Sequence, residues 1–211
     1  MYSRSINNLI IALKKLPSVG QRTAERYVFH WLKSGKSEVN EFKNILDNLL
    51  KNIKSCEVCW NFSDINPCEI CSNKNRNQNQ ICIVDEAQAV ASLEKTDAYS
   101  GVYHVLRGVI DAGDEEGMKE LKIRELTQRI QTNKNIQEII LALNPDILGE
   151  TTMLYLEKHI QQLNPQTKIS RLARGLPMGS DLQYSDEITL GSALKNRTSN
   201  MDTLVALGTT V

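Results

Sequence analysis

Apolar residues recur three and four apart through the first fifty positions. Ile6, Leu9, Ile10 and Leu13 share one helical face, Ala24, Tyr27, Val28, Trp31 and Leu32 repeat it, and Val39, Phe42, Leu46, Leu49, Leu50 and Ile53 form a third stripe. The spacing predicts three amphipathic helices whose stripes pack as a core. Residues 72–80 are polar throughout and read as an exposed loop or linker.

From residue 81 the pattern changes. Ile81-Cys82-Ile83-Val84 is a short apolar run of strand type. A helix carrying Val90 and Leu93 follows, then a strand at 103–106, a helix with Ile123, Leu126 and Ile130, and a buried strand at 139–143. A helix with Met153, Leu154, Leu156, Ile160 and Leu163 and a strand at 168–172 complete the series. Strands alternating with helices at this spacing predict parallel βαβ units, with helices on both faces of the sheet. The expected fold class is therefore α/β. A helical domain at 1–54 precedes a cysteine segment at 55–72, a βαβ domain at 79–174 and a small C-terminal region at 175–211.

With 211 residues, 41% of them hydrophobic, the chain can bury a core. No apolar run approaches the ~20 residues that span a bilayer, and the N-terminus does not read as a secretory signal, so a cytoplasmic location is expected. Lys/Arg and Asp/Glu balance at 25 each, but unevenly along the chain. Residues 1–54 hold ten Lys/Arg against four Asp/Glu, a net of +6, whereas residues 81–211 hold 13 against 18, a net of −5. A basic end joined to an acidic remainder is the asymmetry expected when one end meets phosphate.

Cys56-x-x-Cys59 and Cys68-x-x-Cys71 are two turns separated by eight residues. Paired turns of this kind let four thiolates converge on one tetrahedral ion, and zinc is the expected occupant. Four thiolates leave no open coordination position, so the role expected of the ion is structural. Disulfides are disfavoured in the cytoplasm, and a redox dithiol needs one such turn rather than two in tandem. Cys82, inside the apolar run, reads as a buried thiol.

Leu16-Pro17-Ser18-Val19-Gly20 separates the first two helices, and this stretch resembles a helix–hairpin–helix. A tight hairpin presents backbone N–H groups and a helix N-terminus to a phosphate. Arg22 and Arg26, four apart, share one face of the second helix, and Lys14 and Lys15 lie just before the hairpin. These four are the candidate DNA-binding residues. Ser18 stands where the usual hairpin has its first Gly, and Ser tolerates positive φ less well.

Val84-Asp85-Glu86 and the distant Asn144-Pro145-Asp146-Ile147-Leu148-Gly149-Glu150 resemble the Toprim domain, whose catalytic members hold Mg²⁺ on strand-end acids. Here Asn144 replaces one carboxylate and Asp85 is shorter than the usual Glu. Asp85, Glu86, Asp146 and Glu150 are thus candidates for a residual Mg²⁺ site or a partner-binding rim, and Mg²⁺ is not expected to dominate, because it demands near-ideal geometry. The simpler reading is that these residues cap strands and helices.

The order helix–hairpin–helix, four-cysteine site, Toprim domain, together with Arg171-Leu172-Ala173-Arg174-Gly175-Leu176-Pro177, resembles the RecR family of recombination mediators. The resemblance covers roughly residues 3–197. It implies a homodimer or homotetramer ring that binds single- and double-stranded DNA with little sequence preference. It further implies action with RecO, and RecF in many bacteria, to load RecA at single-stranded gaps. No phosphate-cradling Gly-x-x-x-x-Gly-Lys-Ser/Thr loop is present, which supports a protein that is not an enzyme. The competing classes are a Mg²⁺-dependent Toprim nuclease or topoisomerase-like enzyme and a zinc-ribbon adaptor that binds only protein.

Overall fold

A computed structural model describes residues 2–197; the end of the C-terminal region, 198–211, lies outside the described residues. The chain divides into two compact units. One holds the residues up to Lys54 with Ser63–Ile65, and the other holds Ser55–Phe62 with the residues from Asn66 onward.

The first unit is helical. Helix α1 (Arg4–Leu13) starts at Ser3, whose hydroxyl accepts from the Ile6 amide. Helices α2 (Gln21–Ser34) and α3 (Lys36–Asn52) are joined by Gly35, whose φ of 91° is open to glycine but strained for other residues. Ile10, Ala24 and Val28 form a small buried cluster with Ile6, Leu13 and Val19 around it.

The third stripe departs from expectation. No residue of α3 is buried, and Val39, Phe42, Leu46, Leu49 and Leu50 stand 37–76% exposed. Leu9, Tyr27 and Leu32 on the other two helices are exposed as well. Helix α2 buries Ala24 and Val28 in the cluster with α1 and meets α3 through Trp31 and Phe42, rings 5.3 Å apart, but the rest of the α3 stripe stays open. The core reading of α3 is corrected: its stripe is an uncovered apolar face.

The second unit is built on four parallel strands, β3 (Asn77–Val84), β4 (Gly101–Val105), β5 (Glu138–Leu141) and β6 (Lys168–Arg171), in the order β4-β3-β5-β6. Two short strands, β1 (Lys54–Ser55) and β2 (Phe62–Ser63), pair ahead of them. Strand alternation splits the core. Ile81, Ile83, Val102, Leu106, Ile139 and Leu141 meet α7 (Ile123–Thr132) and α8 (Ile147–Leu163) through Leu126, Ile130, Met153, Leu156 and Ile160. Cys82, Val84, Tyr103 and Val105 turn to the other face, where α5 (Ala87–Glu94) supplies Val90. Helices therefore cover both faces, as the strand–helix alternation requires.

Strand β3 begins earlier than its apolar run. Asn77–Gln80 belong to the ladder rather than to a linker, Asn77 opposite Gly101 and Gln80 opposite Glu138. Their side chains lie at the strand's accessible end, and Gln80 satisfies its amide on the Glu138 carboxylate at 2.7 Å. Among the described residues three further α-helices, α4 (Glu69–Ser72), α6 (Glu115–Glu120) and α9 (Glu187–Lys195), and a short 3-10 helix at Leu182–Tyr184 lie outside the expected series. Among the described residues no helix is long and apolar enough to cross a membrane.

Candidate metal centre, basic hairpin and acidic strand ends

The four cysteines converge. Cys56, Cys59, Cys68 and Cys71 place their Sγ atoms within 4.8 Å of one another, and Cys59 and Cys68 lie 3.6 Å apart. Four thiolates about 2.3 Å from a central ion would stand roughly 3.8 Å apart, so the quartet fits tetrahedral zinc. The first turn is closed by the Trp60 amide donating to the Cys56 carbonyl at 2.8 Å, and Trp60 takes φ 65° there. The Cys68 amide donates to the Cys56 sulfur at 3.3 Å, tying the second turn to the first. A hydrogen bond from the Cys71 thiol, the largest influence, draws the Cys59 thiol down to about 5, against the opposing effect of burial. Cys82 is separate and buried, its thiol pushed up to about 12 by desolvation, as a plain core residue requires.

The cysteine turns are fastened to the sheet. The Val105 amide donates to the Cys59 carbonyl at 2.8 Å. Arg107 donates to the Trp60 carbonyl at 3.2 Å and the Ser55 hydroxyl at 2.7 Å, and its guanidinium lies 4.4 Å from the centre of the Phe62 ring. Lys122 Nζ sits 4.8 Å from the centre of the Trp60 ring. Sequence pattern does not reveal Arg107; an Arg-Gly pair after a strand is its only local signal.

In the helical unit, Pro17 and Ser18 are the central residues of a turn closed by the Val19 amide donating to the Leu16 carbonyl at 3.2 Å. Ser18 adopts φ 62°, the left-handed value expected at this position of a turn with Pro before it. Gly20 caps α2 with no side chain of its own, and a Cβ there would meet no atom within 4 Å. Lys14, Lys15, Arg22 and Arg26 are all exposed. None has a carboxylate within 4.0 Å among the described residues, so their charges are uncompensated around the turn.

Asp85 and Glu86 follow β3, Asp146 precedes α8 and Glu150 lies in the first turn of α8, and most of them are engaged. Asp85 is 7% exposed; one carboxylate oxygen accepts from the Glu86 amide and the other from Asn144 Nδ2, both at 2.9 Å. Asn144 thus replaces a repelling charge with a donor. Asp146 caps α8, accepting from the Gly149 amide at 2.7 Å. Gly149 is needed there because a Cβ would approach the Asn144 carbonyl to 1.9 Å. Glu150 pairs with Arg171 and with Arg174, and Arg171 also holds Glu157 at 2.6 Å.

Asp85, Glu86 and Asn144 line one shallow groove, which Asp146 and Glu150 do not line. The cysteine quartet is the one group of three or more Cys, His or carboxylate ligands brought together among the described residues.

Known proteins match this arrangement segment by segment. Residues 6–50 match the RecR helix-hairpin-helix, 53–73 the RecR four-cysteine zinc finger domain, 79–173 the Toprim domain and 175–198 the RecR C-terminal region. The Recombination protein RecR of Clostridium perfringens is 42% identical over 197 residues, 93% of this chain and 98% of that protein. That of Moorella thermoacetica is 42% identical over 196 residues, 93% of this chain and 97% of that protein. With four consecutive segments matched and the relatives aligned nearly end to end, the chain belongs to the RecR family.

Proposed function

We propose that this protein is a DNA-binding recombination mediator of the bacterial cytoplasm, not an enzyme, acting in repair with RecO, and with RecF where a bacterium employs it, to load RecA at single-stranded gaps. The observation that carries the reading is the set of four uncompensated cations, Lys14, Lys15, Arg22 and Arg26, around a tight turn and an open helix N-terminus. Such a surface contacts the sugar–phosphate backbone without reading bases, which suits single- and double-stranded DNA alike.

The uncovered apolar face of α3 supports pairing of subunits through the N-terminal helices into a homodimer or homotetramer ring, a geometry that repeats weak phosphate contacts. Four converging thiols, three of them buried, leave an ion no open position and give zinc a structural role. Glu86, exposed and without an ion-pair partner among the described residues, is the acid of the set Asp85, Glu86, Asp146 and Glu150 most open to a basic RecO surface. The competing Mg²⁺ reading is weakened by the Asp85–Asn144 bond, which takes up one of the two strand-end positions.

The double variant Arg22→Glu with Arg26→Glu tests the DNA face. It should abolish DNA retention at moderate salt while zinc content and native mass stay as in the wild type. At low salt, the slope of log K against log salt should shrink by about two per engaged chain, one for each lost phosphate contact. Unchanged DNA affinity would refute the assignment.

A further inference from the structure

The cations of the hairpin continue along helix α2. Arg22, Arg26, Phe29 and Lys33 are spaced four, three and four positions apart, so one face of the helix carries them over about 16 Å. Lys33 is exposed and, like the two arginines, has no carboxylate within 4.0 Å among the described residues. The buried residues of α2, Ala24 and Val28, lie about half a turn away and join the cluster with α1. Trp31, whose ring centre is 5.3 Å from that of Phe42 on α3, lies on that side too. Both neighbouring helices therefore pack behind the cation row and leave it open.

Aromatic rings flank the charges. Arg26, Tyr27, Phe29, His30 and Lys33 line one shallow groove, with Tyr27 on one side of the cation row and Phe29 on the other. Tyr27 is 46% exposed. Phe29 is half-buried and braced by Tyr2, ring centres 5.3 Å apart. His30 is not a free cation here, since its Nε2 lies 3.2 Å from the Glu38 carboxylate.

We infer that this groove is a binding site for an unpaired DNA strand, in which Lys33 extends the phosphate track beyond the hairpin and Tyr27, with Phe29, stacks a base. The inference rests on the reading that Arg22 and Arg26 face DNA. In a duplex the bases are stacked on each other and closed by pairing, so their faces are out of a side chain's reach. In a single strand they are free, and a ring beside a row of cations takes base and backbone together without reading sequence. The hairpin cations serve both forms of DNA; the groove favours the single strand.

The test uses the full zinc-loaded chain and two probes, oligothymidylate and a duplex of equal length, titrated by fluorescence anisotropy at several salt concentrations. Tyr27→Leu keeps apolar bulk and removes the aromatic face. Its affinity for oligothymidylate should fall about fivefold or more, the low end for one stacked base, while duplex affinity and native mass hold. Lys33→Gln should reduce the slope of log K against log salt on oligothymidylate by about 0.7 per engaged chain. Tyr27→Trp adds a direct signal: indole emission should be quenched by oligothymidylate and not by the duplex. Unchanged DNA binding in the Arg22→Glu, Arg26→Glu variant defeats the hairpin reading, whereas its loss there with no effect of Tyr27→Leu defeats the groove alone. The inference is also overturned if Tyr27→Leu weakens duplex and single strand equally, or if native mass falls with it, which would make Tyr27 a pairing residue.

Discussion

His104 gives the sharpest quantitative prediction. It is fully buried in β4, and its Nε2 lies 2.8 Å from the Lys122 carbonyl. A carbonyl only accepts, so Nε2 carries the proton and Nδ1 is a bare acceptor, which has no partner. Burial, the largest influence, lowers the imidazole from 6.5 to about 3, against the Lys122 carbonyl, which favours the charged ring. The folded chain therefore keeps His104 neutral where the unfolded chain would protonate it.

The folded value lies below the unfolded one, so stability from this group is complete above pH 6.5 and is lost as pH falls toward 3. Between pH 8 and pH 5 the loss is roughly 2 kcal/mol, from protonation of the unfolded histidine alone. His104→Gln keeps an N–H at similar reach and cannot titrate in this range. Urea unfolding at both pH values, followed by Trp60 fluorescence in a Trp31→Phe background with zinc saturating, isolates the effect. Wild type should lose about 2 kcal/mol more than the variant, a midpoint difference of roughly 1 M urea. Equal acid losses in the two proteins would refute the burial argument, because carboxylates and thiols are common to both.

Two further outcomes follow from the site geometry. Ser18→Gly should stabilise the helical unit by about 1 kcal/mol, since it relieves a left-handed φ at a serine, and the rise in thermal midpoint reads it directly. Asn144→Asp should destabilise the sheet unit by about 1–3 kcal/mol at pH 8, because a donor to buried Asp85 becomes a like charge. Added Mg²⁺ should leave most of that loss in place; full recovery of the unfolding midpoint would reveal a cation site at the strand ends.

Much of the architecture can be read from local pattern because the pattern is local in origin. Helical stripes, apolar strands and the spacing of four thiols each report on residues within a few positions of one another. The α3 stripe shows where this stops: amphipathicity says that a face is apolar but not what covers it. Asn77–Gln80 fail for a related reason, since a strand needs backbone partners and these polar residues find theirs on Gly101 and Glu138.

The bond from Arg129 to the Tyr103 carbonyl on β4 and the Asp85–Asn144 bond were beyond reach from spacing alone. Asn144 lies 59 positions from Asp85, and Arg129 lies 26 from Tyr103. Nothing in either neighbourhood marks the pairing.

The strand-end carboxylates have a longer-range meaning. Asp146 terminates a helix, Glu150 neutralises two guanidinium groups and Asp85 accepts a neutral amide, so each acid is tied into the scaffold by a different tether. Bringing these acids onto one ion would require several tethers to be released together. The exposed Glu86 side chain can therefore change without disturbing the tethers that hold the other three acids in place.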